Sequence, residues 1–139
     1  MGLDMGVVVR DYPNARVKTI GMNRLFKATD QAVYEGEYHK DEKIVEVIYF
    51  RNAYLVRNRL SSIIARTHLW GDFYSDGGRA VLTLRDVELF IKALEDIINE
   101  RLDPEEYHLP TKKDVKNMKI LYRFMKLNPT AVVEYEDAF

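Results

Sequence analysis

Arginine and aromatic side chains are concentrated between residues 49 and 79, and together they could bind a planar, anionic ligand. The arginines of this stretch are Arg51, Arg57, Arg59, Arg66 and Arg79. A guanidinium is a planar fork that can contact two oxygens of one phosphate. A base could stack on any of the aromatic residues, which are Tyr49, Phe50, Tyr54, Trp70, Phe73 and Tyr74. The alternative is structural: some arginines would be solvated or paired with nearby carboxylates, namely Glu46, Asp72 or Asp76, and Trp70 would belong to the core.

Patterns for catalysis or metal binding are sparse. The three histidines are isolated from one another in the sequence: His39, His68 and His108. His68 with Asp72 is a conceivable acid/base pair, but one histidine and one aspartate in a predicted loop make a weak signal. Four residues of EYHKDEK could bind a metal if ordered, although a solvated loop is the simpler interpretation: Glu37, His39, Asp41 and Glu42.

Several chemistries lack their sequence motif altogether. The chain has no cysteine, which excludes disulfides, thiolate metal sites and thiol catalysis. It contains no H-E-x-x-H zinc motif, no G-x-S-x-G nucleophile motif and no Walker phosphate loop. The glycine-rich SDGGR lacks the lysine and hydroxyl residue of a phosphate loop. We therefore predict ligand binding without a catalytic residue, a metal or a cofactor.

Length, charge and hydropathy predict one globular domain spanning residues 1–139. The 21 Lys and Arg against 22 Asp and Glu give a formal net charge of −1, which argues against a nucleic-acid polymer as partner. No apolar run approaches the roughly 20 residues that cross a bilayer, and the N-terminus has no signal-peptide core. We expect a cytoplasmic protein without a membrane partner.

The arginine-aromatic stretch begins inside a segment that the spacing of apolar residues predicts to be one helix, IVEVIYFRNAYLVRNRLSSIIARTH, residues 44–68. At about 100° per residue, one side of this helix is apolar; it carries Val45, Tyr49, Ala53, Val56, Leu60, Ile63 and Ile64. The opposite side carries Val47, Arg51, Tyr54, Leu55, Asn58 and Ser62. Such a mixture suits neither solvent nor core, and it predicts a partly buried ligand surface. Arg51 would be its charge anchor, with Tyr54 and Asn58 beside it; alternatively Arg51 pairs with a carboxylate such as Asp4.

The remaining segments predict an α+β fold, with a small N-terminal β-sheet packed on about three main helices. Gly6–Tyr12 is β-branched and short, so a strand is expected there, followed by a turn at Pro13 and Asn14. ARVKTIGM could be its hairpin partner, NRLFKATDQAVY a short helix and HLWGDFYSDGGRA a loop. Two later helices have capping-box patterns, Thr83 with Asp86 and Thr111 with Asp114. The tail TAVVEYEDAF is either a last strand or an ordered arm.

The order of several short motifs resembles a family of small phage and bacterial proteins. The shared pieces are MGLDM at the start, YFRNAYLVRNRL, VELFIKALEDII and LPT before the last helix. Members of the family typically begin MGLDM-Y-L and carry a helix of the form Y-W-R-K-x-N-x-I-H-x-W-F. Tyr49, Arg51 and Ala53 match that helix, with Phe50 in place of the first Trp. The departures are Asn52, Tyr54, Arg57 and Arg59, where Lys, Asn, His and the second Trp are usual.

The resemblance implies a phage or prophage protein, and with the arginine-aromatic residues it leads to three hypotheses. The first is an anti-defence protein that sequesters a nucleotide-derived immune signal, such as a cyclic oligonucleotide or an ADP-ribose derivative. Its expected binding residues are Arg51, Tyr54, Asn58, Arg57, Trp70 and Asp4. The second is a protein-protein inhibitor or adaptor of a host factor. The third is a hydrolase of such a signal that uses His68 or His108. A two-fold homodimer is expected in each case.

Overall fold

The computed structural model describes residues 2–11, 25, 27–29, 33–35, 43–67 and 78–138. The strands in these residues are β1 (Asp4–Asp11), β2 (Val33–Glu35), β3 (Lys43–Arg51), β4 (Arg79–Val81) and β5 (Val132–Ala138). The three main helices are α1 (Tyr54–Thr67), α2 (Leu84–Asn99) and α3 (Lys112–Leu127). Residues 25 and 27–29 are also helical. The α+β class, with a small sheet against three main helices, is confirmed.

The strands form one antiparallel sheet in the order β2-β3-β1-β5-β4. The predicted N-terminal strand is confirmed as β1, which lies in the centre between β3 and β5. The tail of the chain is a strand, β5, and it pairs with β1 from Asp4↔Ala138 to Arg10↔Val132. The predicted turn at Pro13 and Asn14, the hairpin partner at 15–22 and most of the predicted loop at 68–80 lie outside the described residues.

The prediction of one helix over residues 44–68 is wrong in its first half. Residues 43–51 form β3, and the helix begins only at Tyr54. Between them Asn52 has a positive φ of 57°, a conformation that interrupts a right-handed helix and that Asn adopts more readily than most residues. Asn52 is also tied to β1, because its N–H donates to the Leu3 carbonyl at 2.7 Å and its Oδ1 accepts from the Leu3 N–H at 2.9 Å.

The core lies between the inner face of the sheet and the three helices. The apolar stripe predicted for the second half of the long helix is confirmed in α1, where Val56, Leu60, Ile63 and Ile64 are buried. From α2 the ring of Phe90 meets the ring of Tyr135 on β5 edge to face, with centroids 5.9 Å apart. From α3 the amide of Asn117, which is buried, donates to the Val47 carbonyl at 3.3 Å.

Both predicted capping boxes are confirmed. The Thr83 hydroxyl accepts from the Asp86 N–H at 3.2 Å, and the Asp86 carboxylate accepts from the Thr83 N–H at 2.8 Å. The same reciprocal pair joins Thr111 and Asp114 at 3.3 and 2.7 Å. Each box provides acceptors for two backbone N–H groups that would otherwise have no partner at the start of a helix. The first turns of α2 and α3 are therefore fixed in position. None of the helices in the described part of the chain is long and apolar enough to span a membrane.

Candidate anion-binding groove

The predicted ligand surface is not a half-buried helix face. Arg51 is the last residue of β3, opposite Asp4 on β1, and both side chains are exposed. Tyr54, 49% exposed, begins α1, and Asn58 is exposed on the same helix. The prediction of a partly buried surface is therefore corrected. It assumed about 100° of rotation per residue for residues 44–53, but most of these residues form the strand β3.

The alternative in which Asp4 neutralises Arg51 is not observed. Among the described residues the Arg51 guanidinium is in no ion pair, while the Asp4 carboxylate accepts a short hydrogen bond from the Tyr49 hydroxyl. This hydrogen bond, with a smaller contribution from desolvation, raises the pKa of Tyr49. The exposed residues Tyr49 and Arg51 thus lie at the end of β3, and the exposed Tyr54 lies at the start of α1.

Arg57 has a structural partner. Its Nε lies 3.2 Å from Oδ2 of Asp137, whose side chain is fully buried. Asp137 also accepts from the Tyr135 hydroxyl at 3.0 Å and from the Gly78 N–H at 2.9 Å. Burial, followed by the charge of Asp137, raises the pKa of Tyr135. Arg57 therefore ties α1 to β5.

The other residues of the predicted stretch do not complete a site in the described structure. Arg59 donates to Glu100 at 2.7 Å, and Arg66 donates to the Ser62 carbonyl at 3.3 Å. His108 is exposed in the segment between α2 and α3. Trp70 lies outside the described residues, as do His39, His68, Asp72 and Asp76. The described residues contain no group of three metal-ligating side chains.

A cluster of paired charges lies on the outer face of the sheet, opposite Phe90 and the helices. Arg10 on β1 contacts Glu134 at 3.3 Å and makes a shorter contact with Glu136, both on β5. Arg79 on β4 lies 3.2 Å from Glu134 and 3.3 Å from Glu136. Arg10 and Glu134 are buried, so two arginines and two glutamates neutralise each other within the sheet.

A groove of about 570 Å³ runs between α2 and α3. Its lining residues are Glu95, Ile98 and Asn99 from α2 and Lys112, Val115, Lys116, Lys119, Ile120 and Arg123 from α3. The two helices are antiparallel neighbours, since Lys119 pairs with Glu95 at 3.3 Å and the Tyr122 hydroxyl donates to Glu88, further back along α2, at 2.6 Å. The volume falls within the range of small-molecule pockets, about 300–1,000 Å³.

The groove has an apolar floor and a cationic edge. Ile98, Val115 and Ile120 supply apolar surface on which a flat ring could lie. Lys112, Lys116 and Arg123 have no carboxylate partner among the described residues, whereas Lys119 is held by Glu95. The Lys112, Lys116 and Arg123 cations can therefore pair with an anion from outside the chain without breaking any ion pair of the described structure.

The sequence of α3 explains why the cations line one side. The apolar residues Val115, Met118, Leu121 and Met125 face the core, and the basic residues recur at intervals of four, three and four positions from Lys112 to Arg123. That spacing is the helical repeat, so these side chains share one face. This repeat of basic residues can be read from the sequence alone, and it is the signal that indicates the cationic face of α3.

The lining residues are mainly basic and apolar. They include no histidine, and Glu95, their carboxylate, is held by Lys119. Apolar contact and charge are the interactions that this surface offers. Comparison with known proteins finds no match, whether among protein-family models, curated proteins or solved structures.

Proposed function

We propose that the protein binds and sequesters a nucleotide-derived signalling molecule in the groove between α2 and α3, without chemical conversion. The observation that carries the proposal is the combination of an apolar floor with cations that lack a counter-ion in the described structure. A nucleotide presents both complementary surfaces, a flat base and a phosphate. Sequestration needs this complementarity and no reactive group.

The biological setting of the proposal comes from the sequence. The MGLDM start and the order of the later motifs resemble small phage and prophage proteins, and a phage protein that captures a nucleotide signal would silence a host defence. We accordingly propose an anti-defence role in the host cytoplasm. Since no family model matches the chain, the resemblance stays a prediction.

The test is thermal unfolding of the purified protein with cyclic oligoadenylates, cyclic ADP-ribose and ADP-ribose, followed by heat denaturation and mass spectrometry of the released compound. We expect at least one compound to raise the unfolding temperature and to be released intact. Cleaved compound would instead indicate the hydrolase hypothesis. No stabilisation by any compound would contradict nucleotide binding.

Three variants localise the site. Lys116→Ala combined with Arg123→Ala should remove the stabilisation, because each lost charged contact weakens binding by about tenfold or more. Lys92→Ala is the matched control, because Lys92 is exposed on α2 outside the groove. Arg51→Ala tests the surface that the sequence predicted. Loss of binding in the Arg51 variant with binding retained in the groove variant would move the site to that surface.

The exposed Tyr49, Arg51 and Tyr54 support a second candidate function, binding to a protein. Tyr49 is 46% and Tyr54 49% exposed, and tyrosine and arginine are frequent hot-spot residues of interfaces. A host factor or a second copy of the chain would use this surface. Light scattering of wild type and of Tyr54→Asp tests the second copy: a dimer that the substitution dissociates supports it, and a monomeric wild type at tens of micromolar contradicts it.

A further inference from the structure

We infer that the ligand of the α2–α3 groove carries two anionic groups separated by a neutral portion, as in a small phosphodiester-linked oligonucleotide. The inference rests on the proposed function and specifies its ligand. It follows from the order of charges along the groove, where cations without a carboxylate partner in the described part of the chain lie on either side of one internal ion pair.

The order of charges follows from the antiparallel packing. Asn99 and Lys112 lie at the end of the groove where α2 stops and α3 begins, and Lys116 follows one turn later on α3. The Lys119–Glu95 ion pair, with an Nζ–Oε1 distance of 3.3 Å, comes next. Arg123 lies one further turn along α3. Within the described residues, positive charge without a carboxylate partner is therefore found on both sides of a neutral centre.

The spacing of the two cationic residues along α3 favours a ligand whose anionic groups are also well separated. Lys116 and Arg123 are seven residues apart, which corresponds to about 10 Å along a helix at about 1.5 Å per residue. In a pyrophosphate a single oxygen bridges the two phosphorus atoms, so both phosphates occupy one end. In an oligonucleotide a nucleoside separates successive phosphates, which lets one phosphate approach each end.

The neutral centre suits the nucleoside. The carboxylate of Glu95 repels a phosphate placed beside it, but it can accept a hydrogen bond from a ribose hydroxyl or from a base amino group. Ile120 lies next to Lys119 on α3, and Ile98 and Val115 lie about one helical turn from the ion pair towards Lys116, so apolar surface for the base extends beside the neutral centre. One phosphate would thus lie near Lys116, the nucleoside beside the Lys119–Glu95 ion pair and the second phosphate near Arg123.

The experiment is isothermal titration of the full chain with adenosine monophosphate, ADP-ribose, cyclic tri-adenylate and linear tri-adenylate. We expect a tri-adenylate to bind at least about tenfold more tightly than either of the other two compounds, the increment of one additional charged contact. The cyclic and linear forms share the separated phosphates, and their order of affinity shows which source the groove prefers.

Two single variants test the two-ended arrangement. Lys116→Ala and Arg123→Ala should each weaken tri-adenylate binding by about tenfold, whereas adenosine monophosphate, which reaches one end, should respond to only one of them. The two-anion inference would be overturned if ADP-ribose bound with the same affinity as the tri-adenylates and Arg123→Ala left tri-adenylate affinity unchanged. The proposed function would still stand in that case. If none of the four compounds binds, both fail.

Discussion

Basic side chains occur in two regions of this protein, and the regions differ in what neutralises the charge. On the outer sheet face Arg10 and Arg79 are matched by Glu134 and Glu136 of the neighbouring strand β5. In the α2–α3 groove the cations of α3 exceed the single carboxylate of Glu95. Charges that are matched inside the chain serve the fold, and charges left unmatched along a groove are those available to a ligand.

The largest effect is expected from the buried pair on the sheet. Arg10→Ala removes a buried cation that contacts two glutamates of β5, which also contact the half-exposed Arg79, so urea unfolding should show a loss of about 3–5 kcal/mol. Arg10→Met with Glu134→Leu removes both charges of one pair and should recover most of that loss. If Arg10→Ala unfolded like wild type, the distinction between the two regions would fail.

The next effect separates a structural arginine from a ligand arginine. Arg57→Ala removes one partner of the buried Asp137, which keeps its bonds to the Tyr135 hydroxyl and the Gly78 N–H. We expect a loss of about 1.5–3 kcal/mol in unfolding free energy and an unchanged response to nucleotide. If Arg57→Ala lost nucleotide affinity while its unfolding free energy stayed unchanged, Arg57 would belong to the ligand site that the sequence predicted.

A smaller effect concerns the two helices that form the groove. Thr83→Ala and Thr111→Ala each remove the cap hydroxyl of one capping box, at an expected cost of about 1 kcal/mol. Thr130→Ala, at an exposed turn residue, is the control and should change stability by less than about 0.5 kcal/mol. Equal losses in all three variants would remove the special role of the caps.

The smallest effect is pH dependent. Burial, followed by the negative charge of Glu136, raises the pKa of Glu46 on β3. The folded chain therefore favours protonated Glu46, and this contribution, fully present below the ordinary glutamate pKa, is lost as the pH rises through the raised value. Glu46→Gln should raise the unfolding temperature at about pH 7 to 8 and match wild type near about pH 4. A destabilised Glu46→Gln at neutral pH would contradict this. Glu105→Gln, on an exposed glutamate, is the control.

The parts of the fold that could be predicted are those with local signals. The capping boxes of Thr83 and Thr111 and the apolar repeats of α2 and α3 involve residues a few positions apart, so the sequence alone reveals them. The boundary between β3 and α1 could not be found in this way. Val45 and Tyr49 continue, at helical spacing, the apolar stripe of α1, so the sequence fits a helix there as well as a strand. Pairing with β1, far away in the sequence, decides for the strand.

The candidate site was harder to predict than the fold because ion pairing depends on tertiary contacts. Arg57 and Arg59 resembled ligand residues in the sequence, yet Asp137 and Glu100, distant in the chain, hold them. The lysines of α3 resembled an ordinary solvated face. Only the packing of α2 beside them creates the groove and reveals which of its cations lack a counter-ion in the described structure.

The most direct test of the central claim is an NMR titration of the backbone amides with cyclic tri-adenylate. If the unmatched cations of the groove bind the ligand, the perturbed amides lie in the second half of α2 and along α3 from Lys112 to Arg123. Amides of β5, where arginine and glutamate are matched, should not respond. Perturbations centred instead on Arg51, Tyr54 and Asn58, with α3 unaffected, would contradict the account.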